Sequence, residues 1–426
     1  MRFTRPQWLL HTNIYEVNLR QYTAAGTLAA FEQELPRLRE MGVQTLWFMP
    51  LTPVSRKNRK GTLGSYYACS DYCAISQEFG TAADFSRLVQ TAHQLDFKVI
   101  IDWVANHTGW DHSWTKLYPS FYKTDPGTGD FKIASGMDDI IELDFTNPGL
   151  RKAMIAAMQY WLDEFGIDGF RCDLAFWVEL DFWKEARAAL DISKPLFWFG
   201  EFDPLEKPAY YEVFDAAYTW TWMHKTESYC KGEIGWDSLQ QVLQQYESCC
   251  REDDIPVWFT SNHDENSWNG TEFEKYGNRA QALAVFSICW KGMPLIYSGQ
   301  ELPNTRRLAF FEKDTIQWKG DYRFRDFYSI LLRLRREHPA LASSGACMRL
   351  PVETQQADGL LVFARQEGND QVLVMLNLGP GETVCTVDME EGSYRDIFSG
   401  EQIMSDNRTR FYLPSGGYRV LEKISA

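Results

Sequence analysis

No stretch of the 426-residue chain approaches the ~18 consecutive apolar residues of a membrane span, so no membrane partner is expected. Positive charge is short as well: 43 Lys and Arg face 58 Asp and Glu, a formal charge of −15. Nucleic acids are held by neutralising their phosphates, so an acidic chain is not expected to bind one, whereas a neutral substrate is compatible. Cysteine pairs at metal spacing are lacking. The nine Cys are an odd number with no CxxC; Cys249 and Cys250 are adjacent, and Cys69 and Cys73 are four apart. Free thiols in a reducing compartment follow. The start, Met1 to Trp8, has no apolar signal-peptide core, and the expected location is the cytoplasm. Repeats and low-complexity tracts are missing too, which excludes solenoids and flexible tails.

What the chain has in quantity is aromatic residues: 16 Trp, 20 Tyr and 27 Phe, within an apolar share of 45%. That suffices for a large core, and most of these rings are expected to pack there. A minority presented in a cleft would make flat platforms for the C–H faces of sugar rings. The length suits a barrel of ~250 residues or more plus one appendage.

Short apolar runs alternate with helix-period segments, the pattern of βαβ units in a parallel sheet. Strand-like runs occur at 13–18, 43–49, 98–104, 167–173, 197–201, about 216–222, a run ending at Ser261, and 294–298, with helices expected over 31–41, 82–95 and 148–165. Eight strands in this alternation predict a closed (β/α)8 barrel of the TIM type. The expected barrel comprises residues 1–106 and 148–345. A Gly-, Asp- and Trp-rich insert over 107–147 is too long for a plain loop and predicts a small subdomain at the barrel mouth. After residue 345, strand-like runs separated by Gly-Pro-Gly and Ser-Gly-Gly turns predict a C-terminal antiparallel β-sandwich, 346–426.

Three acids close three of the barrel runs: Asp173 after Gly169-Phe-Arg-Cys, Glu201 after Phe197-Trp-Phe-Gly, and Asp264 after Ser261-Asn-His. A parallel barrel gathers its C-terminal strand ends around one pocket, and facing carboxyl groups there can cleave a glycosidic bond. Arg171 and Asp173 are two apart and share a strand face. The guanidinium is expected to keep Asp173 ionised with a low pKa, as a nucleophile requires, although the spacing taken alone is better explained by a buried structural ion pair. The aromatic run before Glu201 is expected to raise its pKa, which suits a general acid. Asp102, Val104 and Asn106 share a face at the end of the third strand. Asp102 would support the barrel top, Asn106 would hold the insert or a cation, and His107 would reach sugar hydroxyls. His263 beside Asp264 would grip vicinal hydroxyls, or the pair would serve as a helix cap.

The order of these blocks resembles the α-amylase family of glycoside hydrolases, family thirteen. Asp102-Trp-Val-Ala-Asn-His107, Gly169–Asp173, Glu201 and Ser261–Asp264 resemble its four principal signature blocks; Ile141-Glu-Leu-Asp144, Gly64–Asp71 and Met293–Glu301 resemble three further ones. Each is weakly specific alone, and their common order over residues 10–310 is strongly specific. The resemblance implies that Asp173 is the nucleophile, Glu201 the acid/base and Asp264 the stabiliser of the transition state. Arg171, His107 and His263 would orient the nucleophile and the sugar, and Tyr67 would stack on the ring at the cleavage point. It implies retention, with the reacting carboxyls about 5–5.5 Å apart, and α-1,4 bonds of starch-derived glucans or maltooligosaccharides as the expected substrate.

One departure stands out. Where many relatives follow the nucleophile with Lys-His, this chain has Leu174-Ala-Phe-Trp177, so Phe176 or Trp177 is expected to take over the leaving-group side, with Trp268 at the cleft rim. The change also puts the family's calcium in doubt. Asn106 is the one ligand kept; Asp125, Asp130, Asp138 and Asp139 offer oxygens that ordinary surface loops also explain. No cofactor is expected for the chemistry itself. Two other readings stay open: a glucanotransferase or α-glucoside isomerase in which a sugar hydroxyl replaces water, and a glycan-binding barrel without turnover.

Overall fold

The computed structural model describes residues 3–318 and 322–424; residues 1–2, 319–321 and 425–426, which the expected domain boundaries include, lie outside the described residues. In chain order the first ten strands are β1 (Ile14–Val17), β2 (Thr45–Phe48), β3 (Lys98–Trp103), β4 (His107–Gly109), β5 (Ile140–Glu142), β6 (Gly169–Cys172), β7 (Phe197–Gly200), β8 (Ala216–Tyr218), β9 (Ile255–Trp258) and β10 (Met293–Tyr297). Eight of them close into a parallel barrel in the order β1-β10-β9-β8-β7-β6-β3-β2. The remaining two, β4 and β5, form a small antiparallel pair within the insert after β3.

Local chemistry fixes the alternation. Thr81 and Asp84 form a reciprocal capping box that opens the helix Ala82–Gln94. Asn147 caps Pro148–Phe165, with Pro at its first turn and Gly166 stopping it in the left-handed conformation (φ 66°). A Cβ at Gly169 would stand 2.1 Å from the Phe197 carbonyl oxygen, so the close pairing of β6 with β7 requires glycine there. Alternate strand residues such as Ile14, Trp47, Ile100, Phe199, Tyr218 and Val257 form one buried cluster inside the barrel. A second, larger cluster lies between the strands and the surrounding helices.

Two local expectations are corrected. The helix expected over 31–41 is two helices, Leu28–Glu32 and Leu35–Met41, because Pro36 belongs in a first turn and starts a new one. The run expected to stay extended to Trp222 leaves the sheet after Tyr218. Trp220 already begins the helix Trp220–Cys230, an aromatic run that periodicity does not resolve.

The C-terminal part continues with β11 (Ala346–Arg349), β12 (Val352–Thr354), β13 (Leu360–Glu367), β14 (Asp370–Asn377), β15 (Thr383–Asp388), β16 (Gly392–Asp396), β17 (Gln402–Ser405), β18 (Arg408–Leu413) and β19 (Tyr418–Ile424). They form antiparallel sheets of six and three strands, β11-β13-β14-β19-β16-β17 and β12-β15-β18.

Candidate active site

Asp173 follows β6 and Glu201 follows β7 directly, while Asp264 lies a short loop beyond β9. All three open into one cavity of about 510 Å³ at the C-terminal face of the barrel, lined also by Tyr67, His107, Leu174, Trp177, Trp268, Phe310 and Phe311. Arg171 lies beneath it, with no exposed side-chain surface. Its Nη1 donates to Asp173 Oδ1 (2.8 Å) and to Asp102 Oδ1 (3.1 Å). Its Nη2 stands 2.9 Å from Glu201 Oε2 without the alignment of a hydrogen bond. One guanidinium therefore holds three carboxyl groups.

A single cation does not offset the burial of so many acids. Lost hydration raises the pKa of Asp173, with Arg171 pulling it back and Asp264 adding to the rise. The expected low pKa of Asp173 is thus corrected: desolvation outweighs the ion pair. Burial likewise raises Asp102, against Arg171 and reinforced by Asp173. Glu201 is raised as expected, by burial first and by Asp173, with Arg171 opposing. The backbone N–H of Leu174, a residue in the left-handed region (φ 41°), donates to Glu201 Oε2 at 2.8 Å and aims that carboxyl. Asp264 reaches the open cavity with 42% of its side chain exposed, yet its depth in the cleft still raises its pKa through lost hydration.

The two histidines carry different charges. Burial lowers the pKa of His107 to about 4, so it is neutral. Asn106 Nδ2 donates to His107 Nδ1 (3.3 Å), which leaves the proton on Nε2; the ring lies on the cavity wall beside the Tyr67 backbone. A neutral imidazole in this tautomer can donate to an oxygen in the cavity. Burial pulls His263 down too, but Asp264 and Glu16 outweigh it and lift the pKa to about 9. His263 Nδ1 meets Glu16 Oε1 at 2.5 Å and Nε2 meets Tyr67 Oη at 2.7 Å. Tyr67 Oη also donates to Asp102 Oδ2 (3.1 Å), so ring and carboxylate fix the tyrosine from below.

Around the rim, Trp177 lines the cavity while Phe176 packs edge-on against it (5.9 Å) and against the core. Trp268, 53% exposed, leans on Phe310 (5.4 Å) and Phe311 (5.6 Å). The candidate calcium ligands are not brought together. Asp125 Oδ1 accepts from Gly127 N (2.8 Å) and Thr128 N (3.0 Å), and Asp130 closes the same turn through its carbonyl. Asp138 and Asp139 are taken up by Lys60 (3.1 and 2.9 Å). Among the described residues no three His, Cys, Asp or Glu side chains are grouped to hold a metal ion.

Several further residues of the site carry no motif in the sequence. Glu16, wholly buried in β1, is the charge partner of His263; an acid inside an apolar strand was its only signal. Tyr218 Oη accepts from Arg171 Nε (3.3 Å). Phe310 and Phe311 come from the loop after β10, where nothing in the local pattern marks a cavity wall.

Comparison with known proteins gives a consistent result. The profile "Alpha amylase, catalytic domain" matches residues 12–120 and 117–338. An alpha-amylase from Haloarcula japonica is 27% identical over 94% of this chain, which spans 60% of that relative's length. An alpha-amylase of Dictyoglomus thermophilum is 26% identical over 91%, with 69% of its length spanned. Among solved structures, a maltogenic alpha-amylase from Thermotoga neapolitana superposes with a TM-score of 0.88 at 28% identity, covering 98% of this chain and 100% of the other.

Proposed function

The chain belongs to the alpha-amylase family through its catalytic domain, and from that premise we propose a retaining α-glycoside hydrolase that cleaves α-1,4-glucosidic bonds of maltooligosaccharides and starch-derived glucans. In the first step Asp173 attacks the anomeric carbon and Glu201 gives its proton to the departing oxygen, leaving a glycosyl ester on Asp173. In the second, Glu201 takes a proton from water, whose oxygen displaces Asp173 and restores the α configuration. Asp264, beside the imidazolium of His263 (3.5 Å), would lie near the oxocarbenium-like ring and offset its developing charge. His107 Nε2 would donate to a ring hydroxyl.

The observation that carries this reading is Arg171 touching both Asp173 and Glu201 at the cavity floor. Nη1 of that guanidinium stands 2.8 Å from Asp173 and Nη2 2.9 Å from Glu201, so the two carboxyls face one another across a single side chain, an arrangement compatible with the closely spaced pair of a retaining enzyme. No helix among the described residues is long and apolar enough to cross a membrane, and the nine unpaired cysteines support a reducing, cytoplasmic setting.

Asp173→Asn tests the assignment. Incubated with maltoheptaose, the variant should bind the sugar and show no turnover, while the parent releases shorter α-anomers; residual retaining hydrolysis by the variant would remove Asp173 from the role. Oligosaccharides longer than maltoheptaose among the parent's early products would show that a sugar hydroxyl, not water, resolves the intermediate.

A further inference from the structure

The two sides of the cavity are built differently, and the reacting groups tell which side is which. The leaving oxygen must face Glu201, so the residues beside that acid, Leu174 and Trp177, flank the departing sugar. The ring whose anomeric carbon meets Asp173 must extend the other way, along Tyr67, His263 and Phe310; Tyr67 and Phe310 lie nearly parallel (16°) with centroids 6.4 Å apart. Beyond Phe310 on that side comes Phe311, which also lines the cavity.

Three segments are joined there. Leu63 N donates to the Phe311 carbonyl (3.0 Å) and Thr62 N to Glu312 Oε1 (2.9 Å), with a further Thr62 hydroxyl contact to the same carboxylate. This ties the loop after β2 to the loop after β10. The approach is tight: a Cβ on Gly61 (φ 60°) would stand 2.6 Å from Phe311 Cβ. From inside the fold, Gln21 Nε2 donates to the carbonyls of Ala309 (3.0 Å) and Glu312 (2.7 Å), so the second loop is pinned at its base. The third segment is the insert: Lys60 bridges to Asp139 (2.9 Å), which is buried on the cavity wall, and to Asp138 (3.1 Å). Hydrogen bonds between the two loops and the ion pair of Lys60 with the buried Asp139 thus join all three segments at this end of the cavity.

Resting on the hydrolase reading above, we propose that this clasp, Lys60–Leu63 against Phe311–Glu312 and Asp138–Asp139, caps the glycone end of the cleft, so that the enzyme accepts the free non-reducing end of a short α-glucan and does not cut within a chain. A closed end wall leaves no path for further sugars on that side, while the Trp177 side stays available to the rest of the chain. Lys60 and Asp139, both on the cavity wall, would meet the terminal hydroxyls, where charged hydrogen bonds discriminate strongly against a blocked end.

The test uses two nitrophenyl maltopentaosides that differ only at the non-reducing end, one free and one capped by an ethylidene group, with products separated by chromatography. The free-ended substrate should be shortened stepwise and the capped one should survive. Equal cleavage of the two would overturn the closed-end inference and leave the hydrolase reading standing; cleavage of neither would overturn both. The clasp is then opened with Glu312→Ala combined with Lys60→Ala. Cleavage of the capped substrate by this variant is the expected gain. A folded variant, confirmed by circular dichroism, that still rejects it would show that the clasp is not the barrier. Should the variant fail to fold, the parent's discrimination between the two substrates still decides.

Discussion

Glu201 shows how much of the chemistry rests on one carboxyl whose burial raises its pKa against the pull of Arg171. Its proton is needed only when the leaving oxygen is a poor leaving group. Glu201→Gln should therefore lower kcat on maltooligosaccharides by ~10²–10⁴, the usual contribution of a positioned acid, and much less on an α-glucosyl fluoride. Equal losses on the two substrates would deny Glu201 the role. His263 supports a second prediction. Its pKa is about 9 in the folded protein, above the ordinary histidine value, so the folded state holds the proton more tightly than the unfolded chain. The resulting stabilisation is fully present below about pH 6.5 and is lost as pH rises through about 9; its size is on the order of 3 kcal/mol. Glu16→Gln removes one of the two carboxylates responsible. Denaturant melts should show the variant less stable than the parent at pH 6–7, with the gap closing toward pH 10, and the alkaline limb of kcat/KM should move to lower pH. A gap independent of pH would mean that Glu16 acts by packing alone. Neither Glu16 nor the burial-raised pKa of Asp173 was legible from the sequence. A partner 247 residues away leaves no local mark, and the balance of desolvation against an ion pair depends on depth, which spacing does not report.

At the scale of elements, strands and their acidic tips were readable because period and position coincide: β6 ends at Cys172 and the catalytic candidate follows at once. Loop conformation was not. After Asp264 the chain makes a single π-helical turn, Glu265–Asn269, that turns Trp268 outward. Asn266 ties this turn to the loop after β10: its Nδ2 donates to the Arg306 carbonyl (3.0 Å), and its Oδ1 accepts from Leu308 N (2.9 Å). No motif announces such a bridge, since it depends on two loops meeting from distant parts of the sequence. Asn266→Ala should loosen the Trp268–Phe310–Phe311 wall while leaving Asp173 and Glu201 in place. KM for maltooligosaccharides should rise several-fold with a smaller change in kcat, the pattern of lost binding shared by ground and transition states. A fall in kcat at constant KM would place the bridge in the positioning of Asp264 instead. Helix ends behave more simply: Asn147 accepts from Gly149 N (2.8 Å) and Leu150 N (3.4 Å) far from the cavity. Asn147→Ala should cost about 1 kcal/mol of stability, read as a lower Tm, with kcat unchanged.

Taken whole, the molecule does not divide where its architecture does. The change from βα alternation to turn-separated strands marks the C-terminal sheets plainly in the sequence, yet the apolar core runs through that boundary. Phe363, Val374, Leu376 and Val420 of the six-stranded sheet belong to the same buried cluster as the helices around the barrel. Trp290 meets Phe363 edge-on at 4.7 Å, and Phe327 packs on Phe398 (5.6 Å) and Tyr418 (5.8 Å). Polar groups cross it as well. Arg365, buried in β13, donates from Nη1 to the Cys289 carbonyl (2.7 Å) and from Nη2 to that of Ala342 (2.6 Å), and no carboxylate is among these partners. Periodicity could place Arg365 on a strand but not show that its guanidinium closes the end of the helix Ala280–Cys289. Two consequences follow from one cause. Arg365→Met keeps the volume but leaves buried carbonyls unpaired, at a cost of roughly 1–3 kcal/mol for each group that finds no replacement. Ending the chain after Gly345 removes the whole partner surface and exposes Trp290, Phe327 and their neighbours to water. The truncated barrel should be insoluble, or should melt well below the full chain, although every residue assigned to bond cleavage is retained. A soluble barrel with the Tm and kcat of the full chain would show that the shared core is dispensable and that the C-terminal sheets are an independent attachment.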